Sequence, residues 1–377
     1  MQRLGFREWL AAGTAIARGD LLRNSGSGQY CRRFERRLSE LTGAKQTLMV
    51  NSGTSALTVA LASLGVGPGD EVLVPAYTWM ASAAAVVHVG AVPILVEIDE
   101  TLAIDPKDIE NKISHYTRAI LPVHMSNRPC NMDSILKTAK KHGLLVVEDA
   151  CQAVGIKYRG QHCGAIGDAG AFSFNQHKNI TIGESGAVLL SSDHDYFRAF
   201  NYHDIGISYR NDAFAEPSPL FIGLNLRANE ISGAMMNTQL STLHRVISRM
   251  KRRYEVVTEA LEKGRFPLAP QNDPDNALGV VVTFDTEKEA EAFAERRGVS
   301  RVFDSTKHVY SNWDPILEKR TFHPKVDPWA WAQRPIEYAP DMCPRTLDIL
   351  RRSCRVGIGE RYPLALVRMV ARDFSKG

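Results

Sequence analysis

Apolar positions along the chain change their spacing in a regular alternation. Short continuous runs rich in Val, Ile and Leu, at residues 48–50, 71–74, 92–97, 119–123 and 144–148, are separated by stretches with helical spacing at 55–64, 81–88, 105–113 and 132–141. A strand buried on both faces has no polar side to present, so it reads as an unbroken apolar run. The alternation therefore predicts an α/β architecture, a mostly parallel sheet sandwiched by helices on both faces. Residues 169–174 and 187–191 predict two further strands with an exposed loop between them, and a helical pattern runs from about 230 to 263. Ahead of the alternation, residues 1–45 predict a helical lead-in, with a Gly/Ser-rich loop at 24–28 and an amphipathic helix at 32–41.

The remainder changes rhythm. A strand at 278–284 and helices at 288–297 and 346–354 predict a smaller C-terminal α+β domain, which divides the chain into a large domain over 1–245 and a small one over 246–377. A chain of 377 residues is longer than a single core usually organises. Its 44% hydrophobic and 23% charged residues exclude a disordered or fibrous class. The net charge of +4 is small, and no basic block is interleaved with aromatics, so no nucleic-acid partner is expected. The run Arg249, Lys251, Arg252 and Arg253 reads as the solvated face of a helix. Six cysteines lie scattered without a CxxC pair or zinc spacing, which predicts reduced thiols in a cytoplasmic protein and no metal site. The N-terminal residues lack the apolar core of an export signal. Residues 72–96 hold no Asp, Glu, Lys or Arg, yet Pro75, Gly90 and Pro93 interrupt them, so strand, helix and strand are predicted there and no membrane span.

Ligands of open α/β sheets sit at the carboxyl ends of the strands. Four polar segments follow apolar runs at such places. Residues 51–57 (NSGTSAL) open a helix whose free N–H groups suit a phosphate, although a serine or threonine N-cap explains the same letters. Glu148 and Asp149 end a buried strand, where a carboxylate either meets a cation or lies in a surface turn. Lys178 follows an apolar strand and precedes the glycine-rich 183–186, a position from which a desolvated amine can act as a nucleophile. Asn225, in the polar set 223–230, is either a helix cap or a phosphate ligand.

Taken in order, these segments resemble the DegT/StrS-type sugar aminotransferases, a branch of the fold type I pyridoxal-phosphate enzymes. The resemblance rests on SGTSAL at 52–57, PAYTW at 75–79, EDACQAVG at 148–155, SFxxxKN at 173–179, GESGAV at 183–188 and GxNxRxxE at 223–230. It covers about residues 20–260 well and the C-terminal third loosely. It implies pyridoxal 5'-phosphate as cofactor, with Lys178 as the Schiff-base lysine that also shuttles the substrate proton. Asp149 would pair with the pyridinium nitrogen, Gln152 would face the phenolic oxygen and Trp79 would stack on the ring. Gly53, Thr54 and Ser173 would hold the phosphate, and Asn225 would reach it from the neighbouring subunit of a homodimer with shared active sites. An amino acid donor such as glutamate or glutamine would leave its nitrogen on the cofactor, and a keto or aldehydo group of a sugar-like acceptor would take it, with ping-pong kinetics.

Two positions depart from the common pattern: Ser185 stands where GEGGA has glycine, and His177 precedes the lysine. Relatives that eliminate water carry histidine at the lysine position itself, so Lys178 favours transamination over a sugar dehydratase. The segment 307–314, with Lys307 and His308, and the pair His323 and Pro324 look like the branch that aminates an eight-carbon acidic sugar, the 8-amino-3,8-dideoxy-octulosonate aminotransferases. Lys307 and His308 would there face an anionic substrate or be ordinary surface residues. A regulatory relative without catalysis would commonly have lost Lys178 or Asp149, and a nicotinamide enzyme would show a GxGxxG turn after its first strand, which is absent.

Overall fold

Adjacent residues of one strand end in different cores, as a sheet covered on both sides requires. The computed structural model describes residues 4–19, 21–23, 29–206, 220–358 and 362–376; the Gly/Ser-rich stretch 24–28 lies outside them. The main sheet is built from β1 (Gln46–Val50), β2 (Glu71–Pro75), β3 (Val92–Val96), β4 (Thr117–Ile120), β5 (Leu145–Asp149), β8 (Ala169–Ser173) and β9 (Gly186–Leu190). A two-residue ribbon, β6 (Lys157–Tyr158) and β7 (Gln161–His162), intervenes. The strand order is β1-β9-β8-β5-β4-β2-β3, and only β9 runs against its neighbours. The mostly parallel sheet predicted above is thus observed.

Leu73, Val146, Phe172 and Leu189 face one core, covered by helices Tyr30–Thr42, Met132–His142 and Glu230–Leu240. Val72, Val74, Val147 and Val188 face the other, covered by helices Gly53–Ser63, Ala81–His88 and Asp193–His203. Because both side-chain sets of each strand are buried, polar periodicity is lost and the runs read as continuous.

The helix predicted over 230–263 is two helices, Glu230–Leu240 and Leu243–Lys263. Between them Ser241 Oγ donates to Thr238 O (2.6 Å) and Thr242 Oγ1 to Gln239 O (2.8 Å), hydroxyls competing for the carbonyls a continuing helix would use. On the second helix Arg249, Lys251 and Arg252 are exposed as expected, but Arg253 is buried and donates to Tyr362 O (2.8 Å). The loop expected to be exposed between β8 and β9 is so only in part: Gln176, His177 and Glu184 are exposed, but Phe174, Ile180, Thr181 and Ser185 are buried, and the Phe174 ring meets Phe34 edge-on at 5.5 Å.

The smaller sheet, β10-β12-β11, is antiparallel, with β10 at Val280–Thr283, β11 at Val299–Arg301 and β12 at Ser353–Val356. The helix predicted to reach residue 354 stops at Arg351, and the chain re-enters as the middle strand β12. Beyond β11 the chain returns to the main sheet, where Arg334 pairs with Glu71 (2.5 Å) and Thr346 N–H donates to Glu97 (2.7 Å).

Candidate active site

The carboxyl ends of β1, β5 and β8 open into one cleft of about 960 Å³ between the two sheets. Gly53, Thr54, Trp79, Asp149, Gln152, Ser173 and Lys178 all line it. Asn225 does not: it is exposed and bridges Asp204 by backbone pairing. Nor does it cap the helix that follows, whose N-cap is Asn229, accepting from Ser232 N–H at 2.9 Å. Glu230 of the same segment is structural, accepting from the N–H groups of Tyr30 (2.6 Å) and Cys31 (3.4 Å) at the start of helix Tyr30–Thr42.

At the first segment both alternatives coexist. Ser52 caps helix Gly53–Ser63 by accepting from Ser55 N–H at 3.1 Å, while Gly53 and Thr54 turn toward the cleft. A Cβ on Gly53 would lie 2.7 Å from Ser173 Cβ and 3.0 Å from Cys151 Sγ, so only glycine lets the helix start approach the end of β8. The positive pole of that helix therefore points into the cleft with room for an anion.

The two carboxylates ending β5 part company because successive strand residues face opposite ways. Glu148 is fully buried away from the cleft, accepting from Gly164 N–H (2.8 Å), Ile166 N–H (2.6 Å), Gly167 N–H (2.8 Å) and His124 Nε2 (2.9 Å). Asp149 faces the cleft, held by Ser82 Oγ (2.7 Å) and Cys151 N–H (3.1 Å).

Lys178 is half-buried beside Asn179, whose Nδ2 donates to Asn127 Oδ1 (2.7 Å) and Val154 O (2.8 Å). Ser126 and Asn127 are both left-handed, at φ 52° and 62°, and bind Gln152 through two N–H groups, to its Oε1 (3.1 Å) and its carbonyl (3.0 Å). Ser185, the departure from glycine, is buried and donates to Val50 O (2.9 Å).

Opposite Lys178 stands His308, its ring 5.1 Å from that of Trp79. Burial, with Arg355 and Lys178 nearby, holds its imidazole below the usual histidine range. Its Nδ1–H then donates to Ser305 O (3.0 Å), and Nε2 faces Gln152 Nε2 at 3.4 Å. Lys307, by contrast, is turned away to Asp314 (3.0 Å) and does not line the cleft.

Residues 8–322 match the DegT/DnrJ/EryC1/StrS aminotransferase family. The chain belongs to this family. Two GDP-perosamine synthases are similar within it: that of Caulobacter vibrioides is 44% identical over 170 residues, covering 45% of this chain and 46% of the relative. That of Escherichia coli O157:H7 is 37% identical over 228 residues, covering 60% of this chain and 62% of the relative. The matched segments thus span about half to three fifths of those relatives' lengths. The crystal structure of 3-amino-5-hydroxybenzoic acid synthase superimposes with a TM-score of 0.82 at 26% identity, covering 99% of this chain and 96% of that one.

Several residues at the cleft of this family member were not singled out from sequence: Ser126, Asn127 and Arg355, which line it, and Ser82, which is buried behind Asp149 and donates to it. Ser82 lies one helical turn beyond Trp79, which is its only signal. Ser126 and Asn127 precede Arg128 and Pro129, a turn-prone setting with no mark of chemistry.

Proposed function

We propose that the chain is a pyridoxal-phosphate-dependent aminotransferase moving an amino group from glutamate or a similar donor to a keto or aldehydo group of a sugar-like acceptor in amino-sugar biosynthesis. The observation that carries this reading is one cleft holding three things the cofactor needs. They are the Lys178 amine, with no hydrogen-bond or ion-pair partner among the described residues, the Asp149 carboxylate at a strand end, and a helix N-terminus kept open by Gly53. The residues fit the cofactor. Gly53, Thr54 and Ser173 would receive its phosphate, Asp149 its ring nitrogen, Gln152 its phenolic oxygen, Trp79 its ring face, and Lys178 would hold it covalently.

Bound there, pyridoxal phosphate supplies an electron sink for the charge left when a substrate carbon loses its proton. Lys178 Nζ would take that proton and return it. Asp149 is held in orientation because Ser82 Oγ and the Cys151 N–H donate to its two oxygens. His308, neutral and hydrogen-bonded through Nδ1–H, borders the ring site without adding charge.

The reading includes a large domain over 1–245, a small one over 246–377, and a cytoplasmic homodimer. Supporting the dimer, Phe6, Trp9, Leu10 and Ile16 expose an apolar stripe on helix Phe6–Ala17, and Leu220, Ile222 and Leu224 are exposed beside Asn225. Asn225 would act in the neighbouring subunit's cleft. No helix among the described residues is long and apolar enough to cross a membrane.

The test is the absorption spectrum of the protein with added pyridoxal phosphate, before and after glutamate. A visible band that depends on Lys178 and bleaches with an amino donor is expected. Absence of cofactor uptake by the wild-type protein overturns the enzyme reading, and uptake without bleaching by any donor overturns transamination.

A further inference from the structure

Among the described residues, Ser126 and Asn127 are the one place where two successive non-glycine residues hold a left-handed φ, 52° and 62°. They stand past the carboxyl end of β4, on the wall of the cleft. Left-handed backbone is unfavourable for a residue with a Cβ, least so for asparagine, and persists where the surroundings over-determine it. Here they do. Arg128, the next residue, is buried and donates to Gly279 O (3.1 Å), Thr101 O (3.1 Å) and Pro270 O (2.6 Å). A Cβ on Gly279 would stand 2.3 Å from Ser126 O, so the chain entering β10 closes tightly over the turn.

On this turn the bonds converge on Asn127. Its N–H donates to Gln152 O (3.0 Å), its carbonyl accepts from Leu278 N–H (3.0 Å), and its Oδ1 accepts from Asn179 Nδ2 (2.7 Å). The Ser126 N–H adds a bond to Gln152 Oε1 (3.1 Å). Asn179 immediately follows Lys178. On the other side of the lysine the chain bonds back within its own hairpin, Asn175 Nδ2 to Glu184 (2.6 Å) and Gln176 N–H to Gly183 O (3.0 Å), and residues 176 and 177 are exposed. Asn179 reaches out of that hairpin, to Asn127 and to Val154 O (2.8 Å). The turn after β4 therefore holds the loop of Lys178 in register with Gln152. Glycine would adopt the same backbone at less cost, but would give up the Oδ1 bond.

We propose that Asn127 is a positioning residue for Lys178: by holding Asn179 it aims the lysine amine at the aldehyde of the cofactor. The proposal rests on the aminotransferase reading of the same cleft. Attachment joins the amine to the aldehyde carbon with loss of water. A misdirected amine weakens that link and leaves the contacts to the phosphate and ring as they are.

The test compares two ligands by equilibrium dialysis on wild type, Asn127→Gly and Asn127→Asp. One is pyridoxal phosphate; the other is 4'-deoxypyridoxine phosphate, which carries a methyl group in place of the aldehyde and cannot attach. Asn127→Gly keeps the left-handed turn and its N–H bonds and loses Oδ1. It is expected to weaken pyridoxal phosphate binding by about tenfold, the effect of one lost hydrogen bond, and to leave deoxypyridoxine phosphate within about twofold. Asn127→Asp keeps an acceptor at the same place and should stay within about threefold of wild type for both ligands. Asn179→Ala and the double variant with Asn127→Gly close a cycle: if the two asparagines act through their bond, the double variant binds pyridoxal phosphate as Asn179→Ala does, and losses that multiply overturn the proposal. Unchanged pyridoxal phosphate binding by Asn127→Gly overturns it as well. So does a parallel loss of both ligands, which is what a residue that merely shapes the pocket would give. Failure of the aminotransferase reading looks different: wild type then forms no visible band with pyridoxal phosphate and both ideas fall, whereas a normal wild-type band beside an unaltered Asn127→Gly removes this proposal alone.

Discussion

Glu148 and Asp149 are neighbours in β5, and their amides are expected to fail in different ways. At Glu148 four donors converge: the N–H groups of Gly164, Ile166 and Gly167, and His124 Nε2. The tautomer of His124 is set, because its Nδ1 accepts from Cys130 N–H at 3.0 Å and leaves the proton on Nε2. A glutamine keeps one oxygen. Turned toward Ile166 and Gly167, it presents its NH2 to Gly164 N–H and His124 Nε2–H, donors facing donors. Two unmet buried donors cost about 1–3 kcal/mol each, so Glu148→Gln should lose about 2–6 kcal/mol of a total near 5–15 kcal/mol. Asparagine at 149 keeps an oxygen for Cys151 N–H, and its NH2 can donate to Ser82 Oγ, since a hydroxyl accepts as well as donates. Asp149→Asn should therefore cost less than about 1 kcal/mol. Denaturant unfolding without added cofactor, followed by circular dichroism, measures both. Cofactor uptake should show the reverse order, with Asp149→Asn impaired and folded Glu148→Gln close to wild type. An Asp149→Asn protein less stable than Glu148→Gln, or a Glu148→Gln protein within about 1 kcal/mol of wild type, refutes the assignment of the two acids to opposite faces.

Three further outcomes are expected. Lys178→Ala should lose the visible band of the lysine-bound cofactor yet unfold within about 0.5 kcal/mol of wild type, because the amine has no partner among the described residues; a retained band would sink the proposed attachment. Gly53→Ala forces a Cβ to 2.7 Å from Ser173 Cβ and should weaken pyridoxal phosphate binding by at least about tenfold in equilibrium dialysis, and unchanged affinity would remove the phosphate from that helix start. Burial, with Lys157 nearby, pushes His162 down to about 4. Between pH 6.5 and about 4 the unfolded chain binds a proton that the folded chain does not, so stability falls as pH falls through that window. His162→Gln should flatten that part of the stability–pH curve, and an equally steep curve in the variant rules the mechanism out.

What the sequence made legible is what short-range pattern encodes. The parallel core could be read because each of its strands is apolar on both sides, as Val72, Leu73 and Val74 show by dividing between two cores. Lys178, Gly53 and Thr54, which line the cleft, were singled out by the company of ordered motifs rather than by their own letters. Glu148 and Asp149 stayed undecided on their own letters, and only the resemblance chose Asp149, because one step along a strand reverses the facing and nothing local says which step meets the cleft. The end of helix Pro344–Arg351 was misplaced for a related reason. Leu347, Ile349 and Leu350 keep helical burial up to the boundary, and the partners that make residues 353–356 a strand lie on β10 and β11, more than fifty residues earlier. Arg355 was hidden by that error, since a helix end gives it no fixed direction.

The wall of the cleft at residues 307 and 308 is placed largely by main chain rather than by side chains. Thr78 N–H donates to His308 O (2.9 Å), Met80 N–H to Lys307 O (3.0 Å) and Tyr310 N–H to Ala76 O (3.1 Å), and Trp313 Nε1–H adds a bond to Lys307 O (2.8 Å). None of these bonds depends on which side chains stand at 307 and 308, so the turn keeps its place while its side chains are free to vary. Lys307 then settles against Asp314, outside the cleft, and His308 settles over Trp79, inside it. A backbone seam of this kind holds the turn in place independently of the side chains it presents to the cleft. In this chain that wall presents the His308 imidazole and the Arg355 guanidinium to the cleft, both from the C-terminal part of the chain.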